Sequence, residues 1–140
     1  MKDLNFFSDK SDVENKTVLV RLDLNVPIKQ NIIQDDTRII LSLPLIRKLI
    51  NKKAKIIIIS HLGRPKGNKV SDLSLVPIYK YLKKKLKTNV YFYMGNFDSD
   101  LKEKLSYQKK GEVILFENIR FFKEEEKNDA VFSKKLASIC

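Results

Sequence analysis

Cysteine is almost missing from this 140-residue chain, and the one present, Cys140, is its last residue. An internal disulfide is therefore excluded, and the usage fits a reducing cytoplasm. A thiol at a chain end is also a poor candidate for a catalytic nucleophile. No apolar run approaches the roughly 20 residues that cross a bilayer, so no membrane association is expected. The opening Met1-Lys2-Asp3-Leu4-Asn5-Phe6-Phe7 is too short and too polar for a signal peptide, which makes a soluble cytoplasmic protein the expectation. Only four glycines occur, with no low-complexity linker and no internal repeat, and the length suits one domain. Acidic residues are in deficit, 17 against 28 Lys and Arg, for a formal charge of +11. A surplus of that size raises nucleic-acid binding as one reading. Most of it is lysine on expected helices and turns, such as Lys52-Lys53, Lys83-Lys84-Lys85 and Lys109-Lys110, where it usually covers a solvated face.

What is present is a globular composition, 43% hydrophobic and 32% charged, with one unusually informative stretch. Ile56-Ile57-Ile58-Ile59 reads as a strand buried on both faces, the mark of a parallel sheet. It stops in Ser60-His61-Leu62-Gly63-Arg64-Pro65-Lys66-Gly67, a punctuated loop holding the only histidine of the chain and an arginine three residues on. Open α/β sheets bind ligands beyond the carboxyl ends of their strands, where this loop falls, and its side chains suit an anion.

Strands and helices alternate along the rest. Further short strands are expected at Thr17–Arg21, Val90–Tyr93 and Val113–Phe116, with a small β excursion over Pro27–Ile33 that turns near Gln30-Asn31. A helix runs from an Asp36 cap to Asn51, with Ile39, Leu43, Ile46 and Ile50 on one face and either a kink at Pro44 or a restart capped by Ser42. Ser74 can cap a second helix that turns Leu75, Ile78, Leu82 and Leu86 inward past Pro77. A third, from Asp98 to about Tyr107, carries Leu101 and Leu105, and a fourth, capped by Asn128 or Asp129, carries Phe132, Leu136 and Ile139. The expected architecture is α/β: a Rossmann-like three-layer α/β/α domain on a parallel sheet. An α/β domain that closes on an amphipathic helix lacks the strand that should follow, so the fold is expected to be C-terminally incomplete.

Three strand ends carry related cargo. The first gives Arg21, Asp23 and Asn25, which period-2 alternation places on one side. The second gives His61 and Arg64, and the fourth gives Glu117-Asn118-Ile119-Arg120. Arg38 lies in the first turn of the first helix, near N–H groups that favour anions. Parallel strands would bring these segments to one rim. Arginine forks with short polar acceptors and donors describe a pocket for a small, phosphorylated, oxygen-rich molecule. Asp23 and Asn25 could fix a hydroxyl and so discriminate a hydroxy-acid from a bare phosphate.

The stretches Val18–Pro27, Asp35–Ile39, Ser60–Gly67, Leu115–Phe121 and Glu125–Asp129 resemble phosphoglycerate kinase in order and in spacing, from about residue 4 to the C-terminus. That resemblance implies a glycolytic enzyme moving a phosphoryl group between 1,3-bisphosphoglycerate and ADP to give 3-phosphoglycerate and ATP. It also implies that residues 1–140 are part of the N-terminal, phosphoglycerate-binding domain, with the C-terminal domain that binds Mg-ATP or Mg-ADP absent. Carried over by motif, Asp23 and Asn25 meet the glycerate hydroxyl and carboxylate, and His61, Arg64 and Arg120 belong to the basic patch, the two arginines on the phosphate that stays. Arg38 lies nearest the migrating phosphoryl and is the catalytic candidate, and Arg21 supports Asp23. No metal or nucleotide site is expected within the chain itself, which alone should be inactive, and a monomer is expected.

Departures from the family pattern are few. Leu24 replaces a usual Phe, Gln30-Asn31 replaces a usual Asp-Gly turn and should loosen that hairpin, and Glu124 replaces a common Gly. The alternative is a basic α/β module for nucleic acid or other polyanions. Such a binder should interleave aromatics with its basic stripe, whereas here the aromatics fall mostly in strands and on apolar helix faces.

Overall fold

Four consecutive isoleucines have no polar face to offer water, and the chain places them at the centre of its sheet. The computed structural model describes residues 7–96, 99–123 and 130–140, the last segment without the side chains of Val131 and Phe132. Its main sheet is formed by β1 (Thr17–Arg21), β4 (Lys55–Ile59), β5 (Val90–Tyr93) and β6 (Val113–Phe116), in the spatial order β1-β4-β6-β5. Every pairing is parallel, with Val18 opposite Ile56, Ile56 opposite Val113, and Val90 opposite Val113. Ile56, Ile57 and Ile58 are wholly buried and Ile59 is 3% exposed, as a strand covered on both faces requires.

The alternation of side chains along β4 divides the core in two. Ile56 and Ile58 face α1 (Thr37–Asn51) and α2 (Val76–Lys85), joining Ile39, Leu43, Ile46, Leu49, Leu75, Ile78, Leu82 and Leu86. Ile57 and Ile59 face the other way, toward Leu101 of α3 (Ser99–Ser106), with Leu136 of the last described helix, α4 (Ala130–Ala137), and Ile139 just past it packed against the same cluster. Helices therefore cover both faces, the expected three-layer α/β/α arrangement. The chain crosses from β1 past β4 to β5 with α1 and α2 on one face. It then steps back to β6 with α3 on the other, as right-handed crossovers demand.

Local expectations meet three corrections. α1 is one unbroken helix through Pro44: Ser42 caps no restart but donates to the Arg38 carbonyl one turn back, and Pro44 lies on the exposed side, where water can serve the carbonyl it strands. Asp36 occupies the cap position, as expected, but its side chain makes no cap bond: the carboxylate of Asp35, one residue earlier, accepts the Thr37 N–H at 2.9 Å and the Thr37 hydroxyl at 2.6 Å. Asp36 instead accepts the Tyr81 hydroxyl at 2.8 Å and so ties α1 to α2. The excursion is a regular hairpin, β2 (Ile28–Lys29) against β3 (Ile32–Ile33), because Gln30 and Asn31 both adopt the left-handed conformation that a two-residue turn needs. Ser74 does serve the start of α2, accepting the Val76 N–H at 3.3 Å. The caps at Asp98, Asn128 and Asp129, the Glu125–Asp129 stretch and Glu124 lie outside the described residues.

Candidate functional site

β1, β4 and β6 run parallel, so Arg21, Ile59 and Phe116 end at the same edge of the sheet. Past Arg21 the chain follows β4 for one more residue, with the Leu22 N–H on the Ile59 carbonyl. It then turns at Asp23, whose carboxylate accepts the Asn25 N–H at 3.2 Å. Leu24 is wholly buried between them, which turns Asp23 and Asn25 away from the core. The leucine at this position fills its place fully, so the departure from Phe costs no burial.

Each strand end is tied to the next. The Asn25 side-chain carbonyl accepts the Gly63 N–H at 3.2 Å, which fixes the β1 turn against the loop after β4. Beneath it, the buried Ser60 hydroxyl accepts the Leu24 N–H, and the Ser60 carbonyl accepts the Ile119 N–H from the loop after β6, both at 3.0 Å. Arg120 Nη1 donates to the Gly63 carbonyl at 3.3 Å, and the Gly67 N–H returns to the Arg120 carbonyl. Gly63 thus serves the first and fourth strand ends at once. Its φ is +60°, a conformation that favours glycine, and a Cβ there would lie 2.7 Å from a Leu73 methyl, which would have to shift.

The loop after β6 rests on two side chains to which the sequence attached no role. Asn118, with no exposed surface, donates to the Leu62 carbonyl at 2.8 Å and the Leu73 carbonyl at 2.9 Å, and accepts the Arg120 N–H at 3.1 Å. The Glu117 carboxylate accepts the Ser74 hydroxyl at 2.6 Å and the Leu75 N–H at 2.8 Å, so it anchors the start of α2 to the end of β6. Asn118, Glu117 and Ser60 are positioning residues. Their signal in the sequence is a polar residue placed directly at the end of an all-apolar strand.

Arg38, second residue of α1, reaches across to this rim. Its Nη1 donates to Asp23 Oδ1 at 3.2 Å and to the Asn25 carbonyl at 2.9 Å. The two side chains of the Arg38–Asp23 pair are more than half exposed, so the pair adds little to stability and chiefly sets direction. Among the described residues, Nε and Nη2 of Arg38, Oδ2 of Asp23 and Nδ2 of Asn25 have no partner, and Arg64 is exposed with none. Each of the three linked side chains spends one polar atom on its neighbour and keeps another. The guanidinium nitrogens are left for an anion, an amide N–H for a carboxylate, and a carboxylate oxygen for a hydroxyl.

Hydrogen bonds therefore join Asp23, Asn25 and Arg38 directly, and join Asn25 to Arg120 through Gly63. His61, half-buried, and Arg64, exposed, lie in the connecting loop on either side of Leu62-Gly63. Arg21 ends β1 on the exposed side, and the described partners of Asp23 are Asn25 and Arg38. The chain leaves the strand after Leu22 and turns Asp23 toward the start of α1, out of line with Arg21. Among the described residues no group of three or more His, Cys, Asp or Glu side chains could hold a metal, and no helix is long and apolar enough to cross a membrane.

An open parallel sheet with helices on both faces, and with guanidinium, amide and imidazole groups beyond its carboxyl edge, defines an α/β protein. The family described as phosphoglycerate kinase matches residues 8–140, and the chain belongs to that family. A phosphoglycerate kinase from Dictyoglomus turgidum is 49% identical over 129 residues, 92% of this chain and 32% of that protein. The solved phosphoglycerate kinase of Coxiella burnetii superposes with a TM-score of 0.80 at 39% identity, covering 94% of this chain and 32% of its own. That of Pyrococcus horikoshii OT3 gives 0.82 at 33% identity, covering 96% and 35%. The chain thus spans about a third of the length of the relatives it matches.

Proposed function

We propose that residues 1–140 form part of the N-terminal, phosphoglycerate-binding domain of a phosphoglycerate kinase. On this reading the rim holds 3-phosphoglycerate, or 1,3-bisphosphoglycerate in the reverse sense of binding. The observation that carries it is the set of half-committed side chains. Asp23 Oδ2 takes the glycerate hydroxyl, Asn25 Nδ2 and His61 meet the carboxyl end, and Arg64 and Arg120 hold the phosphate that stays. Arg38, anchored through Nη1, offers Nη2 and Nε to the phosphoryl group that moves, where a fixed guanidinium stabilises charge without reorganising.

Phosphoryl transfer is mostly positioning and electrostatics across both substrates. The rim offers one carboxylate, already engaged by Arg38, and otherwise donors, a set that fits a substrate anion better than a nucleotide-bound magnesium. Mg-ATP or Mg-ADP, which supplies or accepts the phosphoryl group, would then be held by the part of the relatives that this chain does not span. A cytoplasmic, monomeric protein suits the reading, and nothing in the fold or among the relatives favours nucleic acid.

The test is a backbone-amide NMR titration of the 140-residue chain with 3-phosphoglycerate, glycerol 3-phosphate and a single-stranded oligonucleotide. Saturable shifts at Asp23, Asn25, Gly63 and Arg120, strongest for 3-phosphoglycerate, are expected. Equal affinity for the two small phosphates, or a preference for the oligonucleotide, would overturn the assignment.

A further inference from the structure

A second cavity, of about 390 Å³, opens on the other face of the sheet, between α3 and the β5 edge strand. The size is within the range of small-molecule sites. Its existence follows from the sequence: α3 has eight residues and buries only Leu101 fully, too little to cover β5 and β6 along their length. Leu101 and Ile114 form the apolar floor, and the rings of Tyr91 and Tyr107, 47% and 74% exposed, form the walls.

The inner end is electronegative. Glu112 is 93% buried, and its carboxylate accepts only from neutral donors: Asn89 Nδ2 at 3.0 Å, the Tyr91 hydroxyl at 3.3 Å and the Lys109 N–H at 2.8 Å. Burial pushes its carboxyl up, but those donors and the nearby charge of Lys109 outweigh burial and hold it below the ordinary value, so it is ionised at neutral pH. No ion pair among the described residues involves it. Beside it Gln108, 95% buried, donates to the Ile56 and Glu112 carbonyls, which fixes the orientation of its amide, and its Oε1 has no partner. A buried acceptor without a donor is costly. Lys104 at the mouth is already engaged by Asp100 at 3.4 Å and by the Tyr93 ring.

We propose that this cavity is a binding site for a small aromatic cation, its ring between the tyrosines and its N–H groups on Glu112 and Gln108 Oε1. Tyrosine faces reinforce the choice, since their quadrupoles attract cations. The site lies toward the amino edge of the sheet, away from the rim, and does not depend on the reading of the rim.

The probe is benzamidine, titrated into the 140-residue chain by NMR and calorimetry, with neutral benzamide and anionic benzoate as comparators of the same shape. Saturable benzamidine binding with shifts confined to Tyr91, Leu101, Tyr107, Gln108, Glu112 and Ile114 is expected, with benzamide at least tenfold weaker and benzoate absent. Glu112→Gln should weaken benzamidine at least tenfold. Tyr107→Ala, at a side chain too exposed to endanger the fold, should weaken it severalfold, and it decides the matter if Glu112→Gln fails to fold. Comparable affinity for benzamide, shifts at Asp23 or Gly63 instead, or affinity unchanged by Tyr107→Ala would overturn the proposal.

Discussion

Arg38 and Arg64 carry the same charge on one rim, and their surroundings assign them different work. Arg38 is steered by Asp23 and the Asn25 carbonyl, whereas Arg64 is exposed and has no partner among the described residues. On the proposed reading, a group held in place before the substrate arrives suits charge that develops during transfer, and an exposed one suits capture. Joined to a nucleotide-binding domain of a relative, Arg38→Ala should therefore lower kcat on the order of a hundredfold or more with a smaller effect on KM. Arg64→Ala should mainly raise KM, and steady-state kinetics showing the reverse split would exchange the two roles. Asn118 makes a prediction of another kind. Replacing it with Ala strands two buried carbonyls and the Arg120 N–H, so Asn118→Ala should cost about 2–4 kcal/mol in urea unfolding. Because it also frees the Leu62–Gly63 segment, 3-phosphoglycerate affinity should fall with it.

Elements in this chain are fixed at their starts by carboxylates from nearby turns. Asp35 holds the first turn of α1, and the Thr37 hydroxyl and N–H keep its carboxyl below the ordinary value. A depressed folded value means that the cap contributes fully above the ordinary carboxylate range and is lost as pH falls through the lowered one. An NMR pH titration should find Asp35 titrating below a model Asp, with the Thr37 amide moving at the same midpoint. An Asp35 midpoint at or above the model value would deny the cap. The helices themselves were legible because Leu75, Ile78, Leu82 and Leu86 recur at helical spacing, and all four are buried. Neighbouring choices were not. Asp36 holds the cap position, but its carboxylate accepts from Tyr81, brought close by the packing of α2, and Asp35 supplies the bond to Thr37 instead. Likewise Leu49 is wholly buried while Ile50 is only partly so, because the helix axis is set by the sheet and not by the spacing alone.

At the scale of the molecule, the converging strand ends were readable from the parallel sheet that an all-isoleucine strand demands. The strand order was not, since nothing local says that β6 inserts between β4 and β5. The turn at Asp23 was not legible for a related reason: alternation holds only while the chain remains a strand, and it stops at Leu22. The cavity beside α3 also escaped, because it comes from a helix too short for the surface beneath it. As the chain spans about a third of its relatives' length, the isolated 140 residues should form no ATP from 1,3-bisphosphoglycerate and Mg-ADP in a coupled assay. Turnover above the uncatalysed rate would contradict the division of labour proposed for the two parts. Binding of 3-phosphoglycerate should weaken as salt rises, because the rim is exposed and its attraction is screened.

Among the described residues, β6 is the strand that unites the sheet: there β5 pairs only with β6, and β4 reaches β5 only through it. On a growing chain, residues 90–93 therefore emerge with nothing to pair with, and wait through the whole of α3 for Val113–Phe116. During that interval one edge of the isoleucine strand is open, and an unpaired apolar edge is a template for other chains. The order of synthesis thus sets a vulnerable interval, opened by β4 and closed by β6. A translational pause within residues 94–112 would lengthen it, and one placed after residue 116 would not.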